Sequence, residues 1–335
     1  MVAAAFTRRL LLALSVAAPA IAGALPAMAQ DKIVFGSNWR AQAEHGGYYQ
    51  AVAKGFYKKH NLDVEIRQGG PQINHLQLFA AGKIDFYMGN SDLEAFNMVK
   101  AGVPAKVVAA IFQKDPQVLM AHPGVGNDKI EDLKGKPILI SSDAVTGYWQ
   151  FLKAAYGFSD SQIKPYTFNP GPFLADKNSA QQGYVTSEPY VIEKEAKFKP
   201  VVFLLADHGF DTYSTTIVAM NKMIAEKPDL VQRFVNATIE GWYDYLNGDP
   251  APGNVLIKKD NPDMTDDQIA YSIKAMKEYG IAISGDATTQ GLGAMTDARW
   301  KSFFDKSVKV GMFPADFDFK AAYTTQFVNK KHGMN

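Results

Sequence analysis

Trp39, Glu44, His45 and Tyr48 lie within ten residues of one another and carry what a flat polar ring needs from a binding site. Aromatic faces stack on it, a carboxylate accepts from its N–H groups and an imidazole orients it. They fall where the apolar run Ile33-Val34-Phe35 gives way to the helix-like run Tyr48–Tyr57, at a strand-to-helix turn. In an open α/β sheet such turns face the crevice at the carboxyl ends of the strands, so side chains there reach a bound molecule rather than a core. Each residue also has a plainer use. Trp39 could back the strand as a core residue, but Asn38 and Arg40 flank it and favour ligand contact. Glu44 suits the acidic first turn of a helix as well as a ligand, and His45 either orients a ring or caps the Gly46-Gly47 turn.

Other strand ends add candidates. Asn90-Ser91-Asp92 follows the third strand and opens into the same crevice, while also suiting the cap of the helix bearing Leu93, Phe96 and Val99. The turn Ser141–Gly147, with Thr146, precedes a helix whose free amides would welcome an anion, although Asp143 opposes one. Glu188 stands before Pro189 at a helix start, so its carboxylate should project from a strand end; Tyr190 serves packing as readily as contact.

Several chemistries are disfavoured. Gly69-Gly70 matches neither a dinucleotide nor a phosphate-loop pattern and reads as a turn. The six histidines lack close ligand spacing, so no metal site or other cofactor is expected. No Ser/His/Asp set is recognisable by spacing. With no cysteine, disulfides, thiolate sites and a lipidated anchor are excluded.

The elements that must position these residues alternate. Strands are expected at Ile33–Phe35, Leu62–Arg67, Ile84–Met88, Lys106–Phe112, Pro137–Ile140, Tyr166–Phe168, Tyr184–Val185, Val201–Leu205 and Ser214–Met220. Helices are expected at Gly47–His60, Gln72–Ala81, Leu93–Ala101, Gly147–Tyr156 and Pro189–Lys197. This is an α/β chain with mostly parallel sheet. The chain leaves a first lobe near Val118–Ala121 and returns near Ser214, implying two lobes joined by a two-strand hinge: residues 31–118 and 215–335, and residues 119–214. The remainder is helical, with an amphipathic helix Asp229–Leu246, a surface loop Asn247–Asn254, a helix begun by the capping box Thr265–Gln268, and helices Asp297–Val310 and Asp318–Lys330.

Residues 1–29 read as a signal peptide: Arg8-Arg9, an apolar stretch from Leu10 to Ala22 and the Ala27-Met28-Ala29 cleavage pattern. Twin arginines leave two export routes open. Without Arg8 and Arg9, 33 basic residues face 34 acidic ones, which selects for neither nucleic acid nor an anionic membrane. An untethered exported protein is expected in the periplasm.

Trp39, Gly47-Tyr48-Tyr49-Gln50-Ala51, Ala53-Lys54-Gly55-Phe56-Tyr57, Asn61-Leu62-Asp63-Val64, Ala81–Phe86, Leu133-Lys134-Gly135-Lys136 and Ser187-Glu188-Pro189-Tyr190 occur in an order that resembles the NMT1/Thi5-like periplasmic solute-binding proteins of ABC importers, relatives of nitrate, sulfonate and taurine binders. The resemblance implies a type II binding protein, without catalysis, that closes over one small molecule and delivers it to a membrane permease, and we expect it to act as a monomer. It implies ligand contacts from Trp39, His45, Tyr48 or Tyr49, Glu188 and Tyr190. The acids Glu44, Asp92 and Glu188 at expected strand ends fit an aromatic nitrogen heterocycle better than an aromatic carboxylate or sulfonate, and the resemblance implies first a thiamin-precursor pyrimidine and next a riboflavin-like ring. A related eukaryotic enzyme that makes the thiamin pyrimidine uses a cysteine-rich segment, which this chain lacks.

Overall fold

The computed structural model describes Met1, residues 29–70, Ile73 and residues 75–334; the expected export segment at 1–29 lies, but for Met1 and Ala29, outside them. Among the described residues, ten strands form two five-stranded sheets. The first has the order β2 (Leu62–Arg67), β1 (Asp31–Gly36), β3 (Phe86–Ser91), β10 (Ser214–Met220) and β4 (Ala105–Phe112). The second has the order β7 (Ile163–Pro165), β6 (Ile138–Ile140), β8 (Ala180–Tyr184), β5 (Gln117–Ala121) and β9 (Val201–Leu204).

The sheets share a design. β1 pairs in parallel with β2 and β3, and β6 with β7 and β8. β10 runs antiparallel between β3 and β4, and β5 antiparallel between β8 and β9. The reversed strand is in each case the one that arrives from the other sheet, since residues 113–116 lead into β5 and residues 205–213 into β10. A strand entering from the far side meets the sheet head-on, which is why a mostly parallel arrangement accepts one reversed member.

The long helix Pro228–Asn247 braces the first sheet, burying Val231, Phe234, Val235, Thr238, Trp242 and Tyr245 along one stripe. Its contact with the helix Gly46–Ala53 depends on glycine. A Cβ on Gly47 would stand 2.1 Å from the Trp242 ring, and one on Gly241 2.3 Å from the Gly47 carbonyl oxygen. The Gly46-Gly47 pair is therefore there for close packing.

Five expectations are corrected. The single helix Gly47–His60 is two, Gly46–Ala53 and Phe56–Lys59, divided by Gly55 at φ 72°. The strand Tyr166–Phe168 lies three residues earlier, because Phe168 takes φ 62° and turns the chain away. In place of the strand Tyr184–Val185 stands a longer one, β8, which ends at Tyr184. The loop Asn247–Asn254 contains the start of the helix Ala251–Asp260, with proline in its first turn. The helix Asp318–Lys330 reduces to a single turn, Phe319–Ala322. Beyond it Tyr323 bridges Val107 and Thr324 N–H donates to the Val107 carbonyl, so the segment covers the β4 edge.

Candidate functional site

β1, β3, β6 and β8 all end on one cavity, and β5, running the other way, begins on it. The cavity has an empty volume of about 620 Å³, part of it open to solvent. Strand ends of the first sheet contribute Asn38, Trp39, Asn90 and Ser91, and Gln42 follows. The second sheet contributes Ser141, Asp143, Tyr148, Gln182, Tyr184 and Glu188, and the entry into β5 adds Asp115 and Gln117. Among the described residues, no lysine, arginine or histidine lines it.

On the first-sheet wall, Glu94 accepts from the Asn90 N–H at 2.6 Å and the Tyr87 hydroxyl at 2.9 Å. Asn90 Oδ1 in turn accepts from Asn38 Nδ2. This leaves Asn38 Oδ1, and likewise Gln42 Oε1, as buried acceptors with no partner among the described residues. Trp39 is half-buried, its ring within 9° of parallel to Tyr166 at 6.3 Å between centroids. The nearby cation, Arg40, is held by Asp263 at 2.8 Å and Asn261 at 3.1 Å.

On the opposite wall, Glu188 accepts from the Tyr166 hydroxyl at 2.9 Å and the Tyr184 N–H at 2.8 Å. Gln182 Oε1 gathers the Ser141 N–H at 2.7 Å and the Tyr148 hydroxyl at 2.9 Å, fixing both to the wall. The turn expected to favour an anion carries a buried acid of its own instead, Asp143, whose Oδ1 has no partner among the described residues.

Burial, with no cation among the lining residues, decides the electrostatics. Desolvation raises the Glu188 and Asp143 carboxyls above their ordinary values and pushes Asp115 up to about 7. Behind the wall, burial also pushes Glu94 up to about 7, against the hydrogen bonds it accepts.

Of the residues singled out from sequence, Trp39, Asn90, Ser91 and Glu188 line this cavity. Ser91 also caps the helix Asp92–Lys100, accepting from the Glu94 N–H. The others do not line it. Glu44 is fully buried and accepts from the Thr186 hydroxyl, joining the turn after β1 to the turn after β8; desolvation pushes it up to about 7. His45 is buried, with no partner for either ring nitrogen among the described residues, and burial drives it down to about 3, so the ring is neutral. Tyr48 belongs to the core, its ring 4.3 Å from Phe35 and edge-on to Trp242. Tyr49 donates to Asp260 at 2.9 Å. Asp92 is buried against Thr212 and Tyr213, and burial pushes it up to about 8. Thr146 is exposed, its hydroxyl turned back to the Asp143 carbonyl and its own carbonyl accepting from Asn97 at 2.9 Å. Tyr190 stacks on Tyr271 at 4.9 Å.

Asp115, Gln117, Tyr148, Gln182 and Tyr184 escaped the sequence reading. The rule that sites gather at carboxyl ends of strands cannot find Asp115 and Gln117, which enter a reversed strand. The available signal was a polar cluster, Gln113 to Gln117, between two apolar runs, Val107–Phe112 and Val118–Ala121.

Comparison with known proteins places this geometry. Among curated relatives, the riboflavin-binding protein RibY of Chloroflexus aurantiacus is 24% identical over 84% of this chain and 81% of its own length. A 4-amino-5-hydroxymethyl-2-methylpyrimidine phosphate synthase, THI11 of Saccharomyces cerevisiae, is 30% identical over 67% of this chain and 69% of its own length. Among solved structures, the aliphatic sulphonate binding protein SsuA of Escherichia coli superposes with a TM-score of 0.62 at 14% identity, covering 88% of this chain and 92% of that one. A ligand-binding component of an ABC-type import system from Staphylococcus aureus gives a TM-score of 0.63 at 14% identity, covering 91% and 100%. These likenesses establish the periplasmic binding protein fold with its two α/β lobes. Among the described residues, no helix is long and apolar enough to cross a membrane. The NMT1/THI5-like family model matches residues 42–251, and the chain belongs to that family.

Proposed function

We propose that the protein is the ligand-capturing component of an ABC importer, working in the periplasm without catalysis and delivering a small aromatic nitrogen heterocycle, of the thiamin-precursor pyrimidine type, to a permease. The observation that carries this reading is the wall chemistry. Trp39, Tyr148 and Tyr184 supply ring faces, Asp115, Asp143 and Glu188 supply carboxyls, and among the described residues no basic side chain lines the cavity. A ligand rich in N–H donors satisfies such a lining, whereas a sulfonate or carboxylate would meet buried acids with no cation to offset them. The unpartnered acceptors Asn38 Oδ1 and Gln42 Oε1 ask for donors as well.

The lobes of this proposal are residues 31–118 with 215–335, and residues 119–214, with the ligand contacting both. Binding then favours the closed arrangement by its contacts to each half. A second reading, a flavin-like ring, is favoured by the likeness to RibY over most of the chain; an isoalloxazine would use the same ring faces and donor-seeking acids.

A thermal-shift panel tests the proposal. 4-Amino-5-hydroxymethyl-2-methylpyrimidine should stabilise the protein saturably, by about 2.7 kcal/mol at a hundredfold excess over its Kd. A shift with riboflavin alone selects the second reading, and a shift with alkanesulfonates or aromatic carboxylates alone refutes both.

A further inference from the structure

We propose that His60, Glu240 and His332 form a binding site for a divalent transition-metal ion of the zinc class. The three come from distant parts of the sequence: the end of the helix Phe56–Lys59, the middle of the helix Pro228–Asn247 and the segment that follows Phe327. Folding brings one ligand atom from each within 4.8 Å of the other two. Among the described residues, this is the one such cluster of histidine, cysteine and acidic side chains. It is separate from the ligand cavity, none of whose lining residues belongs to it.

The donor set is two imidazole nitrogens and one carboxylate, which suits zinc and its neighbours and leaves positions open for water. Both imidazoles converge on a single oxygen, with His60 Nε2 2.8 Å and His332 Nε2 2.9 Å from Glu240 Oε1. Around an ion bound at ~2.0–2.2 Å, neighbouring tetrahedral ligands stand roughly 3.4 Å apart, so each contact needs to open by only about half an ångström. An entry path exists, because the His60, Glu240 and His332 side chains keep 21%, 22% and 32% of their surface exposed.

The backbone holding these side chains is fixed. Arg233 donates to the His60 carbonyl at 2.9 Å while pairing with Asp31 at 2.8 Å. Asn329 exchanges hydrogen bonds with Met295, and Lys331 N–H donates to the Gln290 carbonyl at 3.1 Å. A bound ion would clamp residues 329–334 to the helix that braces the first sheet.

Calorimetric titration of the untagged full chain with ZnCl2 tests this. The expected result is one saturable site per chain, reversed by EDTA, with Ca2+ and Mg2+ binding at least a hundredfold more weakly. H332A and E240Q should each weaken zinc binding at least thirtyfold. H332A lies outside the helices, and E240Q preserves shape on its helix, so either serves if the other fails to fold. No saturable binding up to 1 mM zinc, variants that bind as the parent does, or Ca2+ binding as tightly as zinc would each overturn the assignment.

Discussion

Glu44 and Glu188 approach the same cleft from opposite sheets, each lies in the turn region past a strand end, and burial raises both above the ordinary carboxylate range. Only Glu188 lines the cavity. Its two oxygens are held by Tyr166 and the Tyr184 backbone, so the carboxyl stays on the wall with directions left for a guest. Glu44 sits in the one-turn helix Ala43–His45 and is engaged by Thr186 across the gap between the turns. The difference teaches that proximity to a strand end does not make an acid a ligand contact; what decides is whether the opposite half of the molecule already uses it.

Variants can break or sharpen this contrast. The largest effect should come from E188Q. Replacing a charged acceptor by an amide costs about 1.5–3 kcal/mol per lost bond, so affinity for an amino-bearing heterocycle should fall roughly ten- to a hundredfold in calorimetry. The glutamine can still accept from Tyr184 and donate to Tyr166, and thermal unfolding should show the fold intact. Next, W39A removes a ring face worth roughly 0.5–1.5 kcal/mol beyond its area and should weaken binding by about tenfold. An unchanged Kd would place the guest away from Trp39.

E44Q should change affinity less than about threefold, because the amide oxygen can still accept from Thr186 and no cavity contact is lost. Its effect belongs to stability against pH. Glu44, Glu94 and Asp115 are pushed up to about 7 by burial and Asp92 to about 8, so the folded protein holds protons that the unfolded chain has released. That stabilisation is full below the ordinary carboxylate value and is lost as pH rises through the folded values. His45, driven down to about 3, acts in the opposite sense, but only below its ordinary value of 6.5. Between pH 6.5 and 8 the acids therefore set the slope, and Tm of the ligand-free protein should fall. E44Q should make that fall shallower; a Tm that rises over this range contradicts the burial argument.

Much of this was legible in the sequence, and what failed did so for tertiary reasons. β2 and β10 run as read from residue alternation and β-branched content, and the long helix extends its expected span by one residue at either end. The segment after Phe319 has a helix-like pattern, yet its backbone is claimed by the β4 edge. Trp39 could be named because Asn38 and Arg40 flank it just past an apolar strand, and Glu188 because Pro189 after it marks a helix start. Asp115 and Gln117 could not, because which strand is reversed is fixed by crossing between sheets. His60 and His332 are 272 positions apart, so spacing carried no sign of their convergence.

The most direct test of the central claim is the pH dependence of the Kd for 4-amino-5-hydroxymethyl-2-methylpyrimidine, measured by calorimetry from pH 6 to 8 beside an alkanesulfonate. Donors on the guest favour ionised acids, so binding should release protons and tighten as pH rises through the value near 7 held by Asp115, with no saturable sulfonate binding. Tight sulfonate binding that weakens as pH rises, with none for the heterocycle, would contradict the account.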